Sequence, residues 1–120
     1  MLKPGGAFAF DVTRAVHHDY LRDHRRWSVA PHGGFWKATP HLVLEQGFDY
    51  GDGITLEQFT VIEADGTQTL YRNWYQDYTR ETIIAVIIEA GFSNVQVFND
   101  LMGAPYTTDG TWCGVVARQV

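Results

Sequence analysis

The sequence predicts an α/β fold in which a small layered sheet carries an antiparallel excursion. Three observations support this prediction: an apolar strand after a Pro-Gly-Gly turn, a two-periodic stretch divided by Asp-Gly turns, and an isoleucine-rich helix followed by a strand pair. Because these elements follow one another within 120 residues, we expect a single domain over residues 1–120.

Residues 6–12 predict a buried strand, because the run is apolar, follows a Pro-Gly-Gly breaker and contains one acid, Asp11, near its end. Residues 13–37 are polar and rich in His, Arg, Asp and Trp. The near-helical spacing of Val16 and Tyr20 favours one short helix there. We therefore expect a strand followed by a polar connector that holds one helix.

From residue 41 the hydrophobic pattern has a period of two. Two hairpin signals, Asp52-Gly53 and Asp65-Gly66, divide this stretch. The pattern predicts a three-stranded antiparallel meander over residues 41–50, 54–63 and 67–75.

A helix is predicted after the meander. Thr79 can cap its free amides, Glu81 suits the positive end of its dipole, and Gly91 fits the position just after its end. Its β-branched residues form helices poorly, so packing against a sheet must stabilise it. Two strands, residues 94–98 and 111–117, are expected to close the chain.

Composition excludes several classes of function. The chain has 14 acidic and nine basic residues, and its net charge of −5 argues against nucleic acid as a partner. The single cysteine, Cys113, excludes an internal disulfide and fits a cytoplasmic protein. The longest apolar run, residues 83–88, is too short to cross a membrane, so we expect no membrane partner.

Both ends of the chain resemble class I S-adenosylmethionine-dependent methyltransferases. Leu2-Lys3-Pro4-Gly5-Gly6 before Ala7-Phe8-Ala9-Phe10-Asp11 resembles the turn into the fifth strand of that fold. Glu89-Ala90-Gly91-Phe92-Ser93-Asn94-Val95 is similar to the end of its last helix and the start of its sixth strand. The resemblance implies the C-terminal half of a Rossmann-like methyltransferase sheet, with residues 13–78 as an inserted substrate cap.

The resemblance also implies where the cofactor binds. The family holds S-adenosylmethionine with a glycine-rich strand-to-helix turn and an acid at the end of the next strand, both upstream of the Lys-Pro-Gly-Gly turn. Gly47, Gly51 and Gly53 are interpreted as hairpin turn residues. We therefore expect S-adenosylmethionine to serve the parent enzyme, and this chain alone to bind neither cofactor nor metal and to be inactive.

An aromatic content of 14% exceeds what a small core needs, so we expect some rings to line the site of a small-molecule acceptor. The predicted aromatic contacts are Phe35, Trp36, Tyr71, Trp74, Tyr75 and Tyr106. The polar side chains that could orient an acceptor are Asp11, His41, Arg72 and Asp100. No residue is singled out as catalytic.

Several candidates also have a structural interpretation. Trp74 and Tyr75 can equally be cross-strand packing partners. His41 also fits an ordinary strand-end histidine, and Asp11 a capping or turn residue. Cys113 lies in an apolar strand and is interpreted as a small buried hydrophobe.

The polar connector contains a histidine cluster and an arginine cluster. The histidines are His17, His18 and His24, and the arginines are Arg22, Arg25 and Arg26. The histidines fit a solvated connector better than a metal site with Asp19 or Asp23. The arginines are interpreted as a solvated helix face.

The resemblance to half of a fold has a consequence for association. The first strand would lack a neighbour on one edge, and part of the isoleucine-rich helix would be uncovered, so we expect a homodimer or association with a separate N-terminal half. The alternative is a free-standing α+β module that binds a ligand or dimerises without catalysis. The sequence does not distinguish a methyltransferase portion from a free-standing module.

Overall fold

The computed structural model describes residues 2–119 of the chain, which divide into two compact units. Unit 1 is built from the residues up to His18 and from Gln76 onward, and unit 2 is Asp19–Tyr75. Unit 2 lies within the bounds of the predicted insert, residues 13–78, whose role as a cap stays a prediction. No helix between residues 2 and 119 has the length and apolar character needed to cross a membrane.

Unit 1 contains a three-stranded sheet and one α-helix. The strands are β1 (Ala7–Thr13), β6 (Asn94–Phe98) and β7 (Trp112–Arg118), and the helix is α1 (Arg80–Glu89). The strand order is β1-β7-β6, and β7 is antiparallel to both neighbours. The core of the unit consists of Ile83, Ile87, Val97, Cys113, Val115 and Ala117. The buried position predicted for Cys113 is confirmed.

The predicted boundaries of α1 are confirmed. Thr79 is its N-cap and accepts a hydrogen bond from the backbone N–H of Thr82, while the Thr82 side chain accepts one from the N–H of Thr79. Gly91 follows the C-cap Ala90 with φ of +95°, a conformation that glycine adopts without strain. Buried Ile83 and Ile87 hold the helix on the sheet.

β1 is confirmed as a strand, but the prediction that it is buried is wrong. Ala7, Phe8, Ala9 and Asp11 are exposed. The reason is its position, because among residues 2–119 the strand lies at the edge of its sheet and pairs only with β7. The bare edge expected for this strand is therefore present in the described part of the chain.

Unit 2 contains a four-stranded sheet in the order β2-β3-β4-β5. Its strands are β2 (Arg25–Ala30), β3 (His41–Gly51), β4 (Ile54–Glu63) and β5 (Gln68–Gln76). The three predicted strands are present, and β2 is a fourth, antiparallel to β3. Arg25 and Arg26 therefore lie on a strand, and their assignment to a helix face is wrong. The predicted short helix is a 3₁₀-helix, Ala15–Asp23.

The hairpin between β3 and β4 has the predicted two-residue turn. Asp52 has φ of +54° and Gly53 has φ of +76°, as expected for Asp-Gly in this turn. Gly47 is not a turn residue, which corrects the prediction. It lies within β3, where a Cβ atom would be 2.0 Å from the backbone oxygen of Leu21. Only glycine lets the 3₁₀-helix approach the sheet this closely.

Candidate functional site

The two faces of the four-stranded sheet differ in chemistry. The front face is defined by Glu45, Glu57, Phe59 and Tyr71, and strand register places Phe59 opposite Glu45. The back face is defined by Trp27, Leu44, Gln58 and Arg72, and register places Trp27 opposite Leu44. Because side chains alternate along a strand, each set stays on one side of the sheet.

Four aromatic rings form a cluster on the front face, which we call the aromatic wall. The ring centroid of Trp36 is 4.7 Å from that of Tyr71, 4.9 Å from that of Phe59 and 5.0 Å from that of Phe35. Phe35 is 91% exposed, whereas Trp36 is partly buried. Three of the predicted aromatic contacts, Phe35, Trp36 and Tyr71, are therefore brought together.

Phe59 belongs to the aromatic wall but was not among the predicted residues. The Asp52-Gly53 turn sets the register that places it opposite Glu45. That turn was the signal in the sequence that could have identified Phe59.

A polar cluster lies next to the aromatic wall on the same face. The Tyr75 hydroxyl donates a hydrogen bond to Glu57 Oε2 at 3.0 Å, and burial together with this carboxylate raises the pKa of Tyr75 to about 12. Burial, with Glu57 and Glu45 nearby, also raises the pKa of Tyr20. His24 Nε2 lies 3.3 Å from Glu45 Oε2. The front face thus combines flat apolar rings with carboxylates.

His41 is buried at the start of β3. Its Nδ1 lies 2.8 Å from the carbonyl oxygen of Thr39, so this nitrogen donates the hydrogen bond. A Cβ atom at Gly34 would be 3.8 Å from the ring. The side chain therefore anchors the loop before β3, and its contact with an acceptor stays a prediction.

Two predicted acceptor residues lie on the back face. Arg72 donates from Nε to Gln58 Oε1 at 3.0 Å, and the Trp74 ring packs on Tyr50 with centroids 5.1 Å apart. The two residues therefore do not line the aromatic wall. Tyr75 occupies the front face through its bond to Glu57, so its neighbour Trp74 points the other way.

The remaining predicted residues belong to unit 1. Asp11 is exposed within β1, opposite Gly114, and is neither a cap nor a turn residue. Asp100 Oδ1 accepts hydrogen bonds from the backbone N–H groups of Met102 and Ala104, at 2.9 and 3.1 Å, and shapes its own loop. The Tyr106 ring lies 4.2 Å from the guanidinium carbon of Arg14.

Arg14 is a buried cation that sequence reasoning missed. It donates to the carbonyl oxygen of Thr107 and to Asn99 Oδ1, each at 2.6 Å, and to Cys113 Sγ at 3.2 Å. With the Tyr106 ring over it, the guanidinium connects β1, β7 and the loop between β6 and β7. Its partners lie 85 to 99 residues away in the sequence, so no local pattern indicates them.

A buried imidazole–carboxylate pair lies just after β1. His18 Nδ1 is 2.8 and 2.9 Å from the two carboxylate oxygens of Asp77, and the Thr13 hydroxyl donates to the same carboxylate. His18 is only 5% exposed, so its assignment to a solvated connector is wrong. The carboxylate fixes the orientation of the imidazole ring.

The histidines of the connector are not gathered at one place. His17 has its ring against Trp112, with centroids 5.3 Å apart, whereas His24 contacts Glu45. Between residues 2 and 119, no group of three or more His, Cys, Asp or Glu side chains could hold a metal ion.

Comparison with known proteins gives a similarity in structure only. No protein-family model matches the chain, and no curated protein matches it in sequence. The CcbJ methyltransferase from Streptomyces caelestis superposes with a TM-score of 0.60 at 15% identity, over 99% of this chain and 45% of that enzyme. An S-adenosylmethionine-dependent methyltransferase from Clostridium acetobutylicum superposes with a TM-score of 0.64 at 13% identity, over 98% of this chain and 46% of that enzyme.

The chain spans less than half the length of both structures. The likeness covers nearly all of its residues, from the three-stranded sheet through the antiparallel meander. The fold of this chain is therefore similar to part of an S-adenosylmethionine-dependent methyltransferase.

Proposed function

We propose that this chain is the acceptor-binding C-terminal portion of an S-adenosylmethionine-dependent methyltransferase that acts on a small molecule. The observation that carries the proposal is the fold similarity to two methyltransferases, one of them S-adenosylmethionine-dependent, which extends over 99% and 98% of this chain but 45% and 46% of those enzymes. More than half of each of those enzymes has no counterpart in this chain, and the proposal places the cofactor-binding portion in the corresponding part of a complete enzyme.

The front face is the proposed acceptor surface. S-adenosylmethionine supplies a methyl group on a sulfonium, and the enzyme's part in such a transfer is to hold the acceptor in line and exclude water. The stacked rings of Trp36 and Tyr71 offer an apolar surface for the acceptor. Beside them, Glu57 and Glu45 can accept hydrogen bonds from its N–H or O–H groups.

Contacts within the described residues support placing the cofactor outside this chain. Gly51 and Gly53 have positive φ in the β3–β4 hairpin and do not open a helix. The N-terminal amide of Thr82 in α1 is satisfied by the Thr79 side chain, and no glycine lies in the turn before this helix. These residues do not fit a cradle for the cofactor.

The proposal is tested by determining whether the reading frame of the gene extends upstream of this chain and, where it does, by producing the longer protein. We expect the longer protein to bind S-adenosylmethionine with micromolar affinity in calorimetry and to transfer a labelled methyl group to an acceptor. Trp36→Ala should abolish the transfer and leave cofactor binding unchanged, while Gln68→Ala, an exposed change at the start of β5, should alter neither. A longer protein that binds no S-adenosylmethionine would overturn the proposal.

The second candidate is a binding or assembly module without catalysis. The observation that favours it is the back face of the four-stranded sheet, where large apolar side chains are exposed. A longer protein that binds no cofactor, together with self-association through this face, would support the second candidate.

A further inference from the structure

We propose that the front face of the four-stranded sheet binds an acceptor that carries an ammonium group, and that Glu57 is the residue that selects this group. The inference rests on the proposed function, which makes this face the acceptor surface, and it deepens that function by naming the chemical class of the acceptor. All of the residues involved lie in unit 2, Asp19–Tyr75.

Glu57 is held by two neutral donors. The Tyr75 hydroxyl donates to its Oε2 at 3.0 Å, and the side chain of Tyr20 also hydrogen-bonds this carboxylate. A carboxylate has about four acceptor sites, so two hydroxyls leave capacity for further donors. Glu57 is partly buried, and within residues 2–119 no lysine, arginine or histidine forms an ion pair with it. A ligand that brings a cation would supply the missing partner.

Glu45, on the same face, has the opposite surroundings. Its Oε2 lies 3.3 Å from His24 Nε2 and 3.8 Å from Arg26 Nε, so the protein itself supplies basic partners. Because Glu45 is already paired in this way, Glu57 is the carboxylate of the front face that remains for a cation on the acceptor.

A second hydrogen-bond acceptor lies beside Glu57. Thr55 is two residues before Glu57 on β4 and on the same face, because side chains alternate along a strand. It is only 7% exposed, and its hydroxyl oxygen has no hydrogen-bond partner among the residues that the structure describes. Buried hydroxyls are normally satisfied. An ammonium group has three N–H donors, so it can serve a carboxylate and a hydroxyl together.

The aromatic wall suits the rest of such an acceptor. Phe59 follows Glu57 by two residues on the same face, which is about 7 Å along the strand. The Trp36 ring joins Phe59 to Tyr71, and Tyr71 is 37% exposed, so a ligand can reach the wall. Aromatic faces also attract cations. The geometry therefore favours an apolar body that a short carbon chain connects to an ammonium group.

Binding of three small probes to the 120-residue chain tests the inference without any cofactor. The probes are 2-phenylethylammonium, 2-phenylethanol and 3-phenylpropanoate, which share a phenyl ring and carry a positive, a neutral and a negative group. An NMR titration follows the indole N–H signal of Trp36, which is assigned by its absence from Trp36→Phe. We expect the ammonium to bind at least about fivefold more tightly than the alcohol, and the propanoate to bind least tightly.

Glu57→Gln removes the charge and keeps the shape of the side chain. We expect this variant to bind the ammonium and the alcohol about equally, with little change for the alcohol. The control Glu89→Gln removes the same charge from an exposed position at the end of α1 and should leave the preference unchanged. Circular dichroism establishes that each variant is folded.

Three results would overturn the inference: equal affinities for the ammonium and the alcohol in the wild type, a preference that survives Glu57→Gln, or no binding of any probe up to about 20 mM. Each is distinguishable from failure of the proposed function, which occurs if the longer protein binds no S-adenosylmethionine. Selection of the ammonium by a protein that binds no cofactor would support this site and contradict methyl transfer.

Discussion

Unit 1 buries an arginine and an aspartate, whereas unit 2 contains the most exposed aromatic rings among the described residues. Unit 1 buries the cation Arg14 and the pair His18–Asp77 and satisfies them with hydrogen bonds. Unit 2 leaves large rings such as Phe35 and Trp27 exposed on the two faces of its sheet. The difference indicates that buried polar contacts stabilise unit 1 in addition to its apolar core, and that the proposed acceptor surface lies on unit 2.

The largest expected effect is the loss of the buried cation. Arg14→Ala should lower the free energy of unfolding by about 4 kcal/mol, because three hydrogen bonds and the Tyr106 contact disappear and their acceptors stay buried. Urea denaturation measures this. The matched control is Arg118→Ala at the exposed end of β7, for which we expect about 0.5 kcal/mol or less. If both variants lost the same free energy of unfolding, the buried contacts of Arg14 would not stabilise unit 1.

The imidazole–carboxylate pair should rank second. Asp77→Ala leaves buried His18 and Thr13 without their carboxylate, and we expect a loss of about 3 kcal/mol. Asp11→Ala removes an exposed carboxylate from the same unit and should change the free energy of unfolding by about 0.5 kcal/mol or less. Thermal and urea denaturation of the two variants measure the difference. A greater loss of stability in Asp11→Ala than in Asp77→Ala would contradict this ranking.

The aromatic wall offers a comparison between adjacent residues. Trp36 contacts three rings, so Trp36→Ala should lower the free energy of unfolding by about 2 kcal/mol. Phe35 is 91% exposed, so Phe35→Ala should cost about 0.5 kcal/mol or less. If Phe35→Ala destabilised the protein as much as Trp36→Ala in urea denaturation, Phe35 would be a core residue and not part of a recognition surface.

The smallest effect concerns Tyr75. Its pKa is raised from about 10 to about 12, so the folded state holds the phenolic proton more tightly than the unfolded state. The stabilisation is therefore complete below pH 10 and is lost as the pH rises from about 10 to about 12. Tyr75→Phe should remove this pH dependence. Because the hydrogen bond to Glu57 is also lost, the free energy of unfolding should fall by about 1 kcal/mol.

Ultraviolet titration of the tyrosines near pH 12 checks the last prediction. The wild type should show a transition at about 12 that is absent from Tyr75→Phe. An unchanged titration curve in the variant would show that another tyrosine is responsible.

The features predicted well from the sequence are local. The Asp52-Gly53 turn, the Thr79 cap and Gly91 each depend on a few adjacent residues, and all three have their predicted roles in the structure. The strands of the meander could be predicted because Asp-Gly turns divide the alternating pattern into segments. Three of the predicted aromatic contacts meet in one cluster because two of them, Phe35 and Trp36, are neighbours in the chain.

The features missed depend on distant partners. His18 and Asp77 are 59 residues apart, and Arg14 and Cys113 are 99 apart, so neither contact has a signature within a short window. β2 was missed because it begins with two arginines and alternates only over Trp27-Ser28-Val29, which is too short to predict a strand without its pairing with β3. Phe8 and its neighbours were predicted to be buried because apolar composition does not distinguish an edge strand from a central one.

The most direct test of the central claim is calorimetric titration of the 120-residue chain with S-adenosylmethionine and S-adenosylhomocysteine. If the chain carries only the acceptor side, neither ligand should release measurable heat at concentrations up to about 1 mM. Micromolar binding of either ligand by the chain alone would contradict the account, because the cofactor site would then be formed by the residues assigned here to the acceptor.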